Sequence, residues 1–375
     1  MSRTFRPPAF LAALLGLTAA ASIVAGCGFF SNPPGPTSTP PVTTTPSRAP
    51  TPTPVPTAAP TNLVATIVLI AAIGESADGT PSTVAWQGVQ DAAGRLGASS
   101  KLVVPASMAE LTAAVKTATT DGTTIVVTVG PDAAQAVLDN ATGHAATQFF
   151  ELDQTIPDGS PSNVHGLVFD EAEAGYLAGF VAASLSATHK VGMVGVTNAD
   201  IRTANYAGGL ANGAKYADPT VGVAVAYATR SDDPQMGRAA AAGLIGGKAD
   251  VVVAMADLNG AGAMREACAR KASVVALDTD ASLVLPDVEP CLVVSVLKRY
   301  DVAAREAILR YAARKPLPAG ILFDVAGGGI GLSEFHQPVP PELTDRIAGV
   351  LAAMRNGPPR PTPTPESTPE ASPTA

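Results

Sequence analysis

Two aspartates one residue apart, Asp278-Thr279-Asp280, stand at the end of the apolar run that begins at Val274. A carboxylate at a strand end can accept two hydroxyl hydrogen bonds, so the pair reads as a polyol contact or, equally, as loop caps and turn formers. Lys298 ends a second apolar run, Leu292 to Lys298. A lysine in such a run needs a partner for its charge, and either a ligand or Asp278 would serve. Asn259-Gly260 falls on the loop after Val251 to Met255, where a glycine lets backbone amides approach a bound molecule; Asp257 shares that loop. Asp78 lies ahead of the first helix and reads as a ligand contact or as an N-cap or turn residue. Trp86, the only tryptophan, fits core packing better than stacking on a ligand.

Other chemistries find no residues to carry them. The sequence has no GxSxG, HExxH or GxxxxGK[ST], and Gly327-Gly328-Gly329 reads as a turn rather than a phosphate cradle. The four histidines (His144, His165, His189, His336) and three cysteines are scattered without ligand spacing, so no metal site and no cofactor are expected. No nucleophile–base pair can be assembled, which argues against an enzyme. The formal charge is −8 and no basic stripe occurs, which excludes nucleic acid as a partner.

These candidate residues are spaced along a regular pattern. Hydrophobic residues make up 46% of the chain and charged residues 15%, which favours sheets buried on both faces over disorder. Strands at Ile67 to Ile70, Leu102 to Val104, Ile125 to Val129 and Gln148 to Leu152 alternate with helices at Val84 to Leu96, Met108 to Ala118 and Asp132 to Leu138. The alternation resumes from Val164 to Asp278. Such βα repeats make parallel, doubly wound sheets. Two links lack a helix: Leu152 to Val164, and Asp278 through Pro286 and Pro290 to Leu292. Both are read as points where the chain leaves one sheet for another. The expected division is residues 62–163 with 292–318 as one lobe, and 164–291 with 319–356 as the other. Two lobes joined by several strands enclose a cleft beyond the strand ends, suited to closing on a small molecule.

The termini have a different character. Arg3 and Arg6 precede an apolar run, Ala9 to Val24, that is short for a membrane span, and the run ends in Ala25-Gly26-Cys27. This resembles a bacterial lipobox, with 1–26 the signal peptide and Cys27 the lipidated first residue of an extracytoplasmic, membrane-anchored protein. Residues 27–61 and 357–375 are Pro/Thr-rich. The first tract reads as a tether that could hold the domain up to ~100 Å from the surface, and the second as a disordered tail. With Cys27 lipidated, Cys268 and Cys291 remain as an even pair, either a disulfide or two buried thiols.

Five segments point to a known family: Ala85-Trp86-Gln87-Gly88, Gly166 to Phe169 with Glu173 to Gly179, Lys190 to Gly195, Ser295 to Asp301, and Gly328 to Leu332. In order and spacing they resemble the basic membrane protein family, lipoproteins of the type I periplasmic-binding-protein fold that serve as substrate receptors for ABC transporters, typically of nucleosides. The resemblance implies a small-molecule solute and a transporter permease as partners. The runner-up is a sensing lipoprotein that signals to a membrane partner. It also implies ligand contacts at Asp78, Gln135 (where the family often has aspartate), Asp257, Asn259, Gly260, Asp278, Asp280 and Lys298. Pro81 and Ser82 replace the family's Phe-Asn before the tryptophan, and Ser231 stands where a second ring is expected. With base-stacking rings worth ~1–3 kcal/mol each removed, a nucleoside-like ligand would be held mainly at its sugar end by Asp278, Asp280 and Lys298. Gly175 and Gly179, by contrast, read as letting their helix pack closely against the sheet.

Overall fold

The structure, a computed structural model, describes residues 66–197, 200–228 and 233–356. Cys27, the signal, the tether, the tail and Ser231 lie outside the described residues.

The first lobe starts with β1 (Thr66–Ile70), α1 (Pro81–Leu96), β2 (Ser99–Val103), α2 (Met108–Thr120), β3 (Ile125–Val129), α3 (Ala134–Ala141), β4 (Gln148–Leu152) and β5 (Val164–Phe169). Pro81 occupies the first turn of α1, where its missing N–H costs nothing. β1, β3, β4 and β5 are almost wholly buried, as expected for a parallel sheet covered on both faces.

The second lobe runs through α4 (Glu171–Leu185), β6 (Lys190–Gly195), α5 (Ile201–Ala217), β7 (Gly222–Tyr227), α6 (Pro234–Gly246), β8 (Val251–Met255), α7 (Leu258–Ala269), β9 (Ser273–Asp278), the single turn α8 (Ala281–Val284) and β10 (Leu292–Lys298). The chain then returns through α9 (Tyr300–Ala312) and β11 (Gly320–Phe323) and ends with β12 (Ile330–Leu332) and α10 (Pro341–Met354). Two six-stranded sheets result, in the orders β11-β5-β4-β3-β1-β2 and β12-β10-β9-β8-β6-β7. All pairings are parallel except β10 with β12. The two-lobed, doubly wound architecture is as the repeats indicate.

The crossings are not where the helix-less links placed them. β5 stays in the first sheet, with Phe149 opposite Val164 and Leu152 opposite Leu167. β10 stays in the second, with Leu297 opposite Asp278. β11 rejoins the first sheet on β5, with Phe323 opposite Phe169. The expected boundaries at 163/164, 291/292 and 318/319 are therefore corrected: the chain crosses after Phe169, after Lys298 and after Phe323. A helix-less link can join two parallel neighbours when the intervening coil makes the return, as 153–163 and the α8 segment do here. The absence of a helix does not imply a change of sheet.

The packing of α4 also differs from expectation. Gly175 and Gly179 do not face the sheet: a Cβ on either would strike the backbone carbonyl of Tyr206 or Leu210 on α5. In return, Gly209 and Gly213 of α5 press against the carbonyls of Ala172 and Tyr176. The two helices thus pack backbone to backbone through four glycines, a separation no larger side chain permits. α4 is apolar on nearly every face and almost wholly buried. Its one buried acid, Glu173, accepts the Val325 N–H at 2.7 Å just past the third crossing.

Cys268 on α7 and Cys291 just before β10 are joined by a disulfide, with Cα atoms 5.4 Å apart.

Candidate functional site

The carboxyl ends of strands from both lobes converge on Lys298. This residue is the last of β10, and its side chain is fully buried. Its Nζ lies 2.9 and 3.1 Å from the two carboxylate oxygens of Asp153, immediately after β4. Glu171 Oε1, at the first crossing, is 3.4 Å away, and Asp278 Oδ1, at the end of β9, is 3.6 Å away. The ammonium also stands 5.6 Å from the ring centroids of Phe169 and Tyr206. Burial by itself would lower the lysine pKa; Asp278, Asp153 and Glu171 outweigh it and hold the group above its ordinary value, so it remains charged.

The carboxylates are braced in turn. Asp278 accepts a short hydrogen bond from the Tyr206 hydroxyl, and burial next to that carboxylate drives the phenol pKa well above its usual range. Asp153 also accepts from Arg202 Nη1 at 3.0 Å and from the Tyr300 hydroxyl at 3.3 Å. Asp153 and Asp278 both have left-handed backbones, with φ of 61° and 79°. Such conformations are uncommon outside glycine and cluster at functional sites. Asp257 caps α7, taking the Gly260 N–H at 2.6 Å. Burial pushes its carboxyl up to about 6, with Asp278 adding to the rise and Arg202 and the Gly260 N–H opposing it.

Of the residues singled out from the sequence, Asp278, Lys298 and Asp257 belong to this electrostatic group. Asn259 is 2% exposed and packed against Gly237 of α6, with Oδ1 lacking a hydrogen-bond partner among the described residues, so it faces a helix contact rather than open space. The Gly260 N–H is taken by Asp257. Asp280 caps α8 through the Ser282 N–H at 3.0 Å and lies 3.7 Å from His336 Nε2, which realises the capping alternative. Asp78 is exposed on the β1–α1 loop, and the N-cap of α1 is Thr80 instead. Gln135 is exposed on α3 and donates to Asp139 one turn along. None of Asp78, Gln135 and Asp280 makes a hydrogen bond or ion pair with Lys298.

Pro81, which stands where the family's first ring is expected, opens α1, and Ser82 stands where the family has asparagine. Ser82 is buried and hydrogen-bonds Glu75 Oε2 at 2.6 Å and the Ala72 N–H at 3.0 Å, pinning the loop before α1. Gly79 of that loop, with φ of 81°, abuts the second lobe: a Cβ there would lie 2.6 Å from Leu283 Cβ on α8. Trp86 is half-buried and packs on the core.

Sequence reasoning missed Asp153, Glu171, Arg202, Tyr206 and Tyr300. Two signals were available. Asp153 directly follows an apolar strand, as Asp278 does, and Arg202 and Tyr206 are four apart on one face of α5.

A family model described as ABC transporter substrate-binding protein PnrA-like (Bmp) matches residues 67–352. The chain is similar to Basic membrane protein A of Borreliella burgdorferi, 30% identical over 132 residues that cover 35% of this chain and 39% of that protein. It is also similar to the ABC transporter nucleoside-binding protein BmpA of Lactococcus lactis, 33% identical over 141 residues, or 36% and 39% of the two chains. The alignments thus span about two fifths of the length of these relatives. In fold, the protein is similar to an ABC transporter solute-binding protein from Conexibacter woesei, with a TM-score of 0.63 at 24% identity, covering 78% of this chain and 97% of that one. A transcriptional activator of the comK gene from Bacillus halodurans gives 0.66 at 18% identity, covering 80% and 100%. These structures share the two-lobed type I periplasmic-binding fold. With the family model spanning both lobes and every crossing between them, the chain belongs to the PnrA-like (Bmp) family of ABC transporter substrate-binding proteins.

Proposed function

We propose that the protein binds a small polar solute, a nucleoside or a related sugar-containing molecule, in the interlobe cleft around Asp278 and Lys298, and delivers it to an ABC-type importer. The observation that carries this reading is the meeting of strand ends from both lobes on one buried, charged lysine. In a family of substrate-binding proteins, this is where a ligand's hydroxyl groups would find charge-assisted partners. The nucleoside-binding relative from Lactococcus lactis supports the sugar-bearing class. Asp278 accepts ligand hydroxyls, and Lys298, whose ammonium is taken up by Asp153 and Glu171, holds the charge balance of the site beneath it. Asp257 and Asp280 act mainly as helix caps that shape the loops around them.

Anchoring completes the proposal. Cys27 carries a lipid, and the protein works at the extracytoplasmic face of a membrane beside a permease. Among the described residues no helix is long and apolar enough to cross a membrane. The test has two arms. Mass spectrometry of small molecules released on denaturing the purified protein should yield a nucleoside or sugar, and calorimetry should show that compound binding wild type but not Lys298→Met. Release of only charged or purely apolar compounds would overturn the ligand class. Cys27→Ser should yield an unlipidated protein that no longer partitions into detergent; lipid retained by that variant would overturn the anchor.

A further inference from the structure

Among the described residues, one strand edge is apolar and unprotected. β2 and β11 bound the first sheet, and β7 and β12 the second. β11 and β12 have four and three residues, and β2 carries Ser99, Ser100 and Lys101. Shortness and lysine both keep an edge from pairing with another chain. β7 has neither protection. Its six residues, Gly222 to Tyr227, include no charge and no proline, and its register on β6 runs without a bulge. We propose that β7 is an interface for a second copy of this chain, paired antiparallel across a two-fold axis at Val225. This surface lies at the edge of the second sheet opposite β12, away from the crossings and the Lys298 cluster.

The ladder fixes the register of that pairing. Gly222 donates its N–H to the His189 carbonyl at 2.8 Å, and Ala228 donates to the Gly195 carbonyl at 2.8 Å, so the even-numbered residues face β6. The N–H and C=O groups of Val223, Val225 and Tyr227 point the other way, where no described strand lies. In an antiparallel pair, residues that exchange both hydrogen bonds stand directly opposite each other. An axis at Val225 sets Val225 opposite its own copy and Val223 opposite Tyr227 of the second copy. Every outward group of β7 then has a partner. Such a two-fold contact is self-complementary, and it joins the two second-lobe sheets into one.

The groove beside β7 fits the same partner. Its volume is about 450 Å³, and Val223, Ala224, Ala226, Ala239, Gly243 and Leu244 line it between β7 and α6. α6 packs on β6 and β7, so an axis at the edge places the second copy of α6 about two strand spacings away, ~10 Å. That is the separation of packed helices. Ala239 and Gly243, four residues apart and both exposed, permit this approach, and a Cβ at Gly243 would meet nothing within 4 Å in the single chain. On the other face of the sheet, Tyr227, 44% exposed, covers Val223 of the second copy.

Charge does not oppose the pairing. Lys190, opposite Gly222 in register, is the only charged residue among those lining the groove. In the proposed register the two copies of Gly222 are six residues apart along the paired strands, so the two lysines stand roughly 20 Å from each other, beyond the screening length of about 8–10 Å. Because the paired strands run in opposite directions, the first lobes sit at opposite ends of the joined sheet. The two clefts open in opposite directions, and one copy of a pair at a time can present its cleft to a partner in a single membrane.

The test uses the full chain carrying Cys27→Ser, which keeps lipid and a stray thiol out of the measurement. Sedimentation velocity up to about 200 µM should show a concentration-dependent dimer, the weak association expected of a small interface. Ala224→Lys puts a charge beside Ala226 of the second copy, and Gly243→Glu puts one between the two α6 helices. Both positions are exposed, and circular dichroism checks the fold. Each substitution should raise the dissociation constant of the dimer by about tenfold or more. Copper-catalysed oxidation of Val225→Cys should give a cross-linked dimer, because opposite Cα atoms in a hydrogen-bonded antiparallel pair lie about 5.5 Å apart, within disulfide reach. Gly222→Cys should not cross-link to itself across roughly 20 Å. Protein that stays monomeric, with no more cross-link for Val225→Cys than for Gly222→Cys, would overturn the second copy as the occupant and leave the edge to a strand of another protein. A dimer that survives both Ala224→Lys and Gly243→Glu unchanged would put the contact on another surface and overturn it as well.

Discussion

Asp153 and Lys298 are 145 residues apart in sequence, yet both carboxylate oxygens of the first lie within 3.1 Å of Nζ of the second. One follows a strand of the first sheet and the other ends a strand of the second, so the pair bridges the lobes at the hinge. Around them Glu171 and Asp278 share the same buried ammonium, which depends on these carboxylates to stay charged, and Arg202, itself 44% exposed, pairs with Asp153.

Removing the lysine tests this dependence. Lys298→Met keeps the apolar stem but leaves Asp153, Glu171 and Asp278 facing one another in a buried space. Breaking such a group from one side costs about 3–5 kcal/mol. Urea unfolding of the ligand-free protein at neutral pH should show that loss, and Lys298→Met/Asp153→Asn should recover part of it. A single variant within about 0.5 kcal/mol of wild type would mean the cluster is not coupled.

A buried acid on β4 sets a pH dependence of its own. Glu151 on β4 is 3% exposed, and among the described residues neither its Oε1 nor Thr128 Oγ1, its neighbour in register on β3, has a hydrogen-bond partner. Burial raises the Glu151 carboxyl from 4.5 to about 7. The folded state therefore holds the proton more tightly than the unfolded state. The stabilisation this gives is full below pH 4.5 and is lost as pH rises through 7, a change of about 3 kcal/mol. Glu151→Gln should flatten the fall in stability between pH 5 and pH 8, measured by denaturant midpoints. Parallel curves for variant and wild type would contradict the assignment.

The α4–α5 contact separates two kinds of glycine on one helix. Gly213→Ala would drive a methyl into the Tyr176 carbonyl and should destabilise by at least about 1–3 kcal/mol, the usual cost of overpacking. Gly208, also on α5, faces open space: a Cβ there would meet nothing within 4 Å. Gly208→Ala should therefore stabilise by about 0.5–1 kcal/mol through helix propensity. Thermal unfolding of the two variants should move the melting temperature in opposite directions; shifts of the same sign would refute the close packing.

The disulfide closes a segment of sequence separation 23 between α7 and β10. Chain entropy predicts about 3 kcal/mol for a loop of that length. Cys268→Ala/Cys291→Ala should lower stability by that order, and thiol labelling of the denatured, unreduced wild type should find neither cysteine reactive. Two labelled thiols there would remove the bridge.

Local chemistry in the sequence was enough for the alternation of strands and helices, because the apolar runs and their punctuation are properties of neighbours along the chain. It was also enough for the family and for the strand-end placement of Asp278 and Lys298. The buried stripe of α10 has the same local origin, in the helical spacing of Leu343, Ile347, Val350 and Met354. What the sequence pattern misassigned was the sheet that two of the strands join. Val164–Phe169 and Leu292–Lys298 are apolar runs that either sheet could take, and only pairing with β4 and with β9 decided between them. The same non-local pairing carried Asp153 and Arg202 to Lys298. Asp153 reads in the sequence as one more polar residue opening a turn, and Arg202 as one more charge in the first turn of a helix. Their joint role comes from a meeting between segments far apart in the chain, which no short-range pattern encodes, because the contact exists only once both sheets are built.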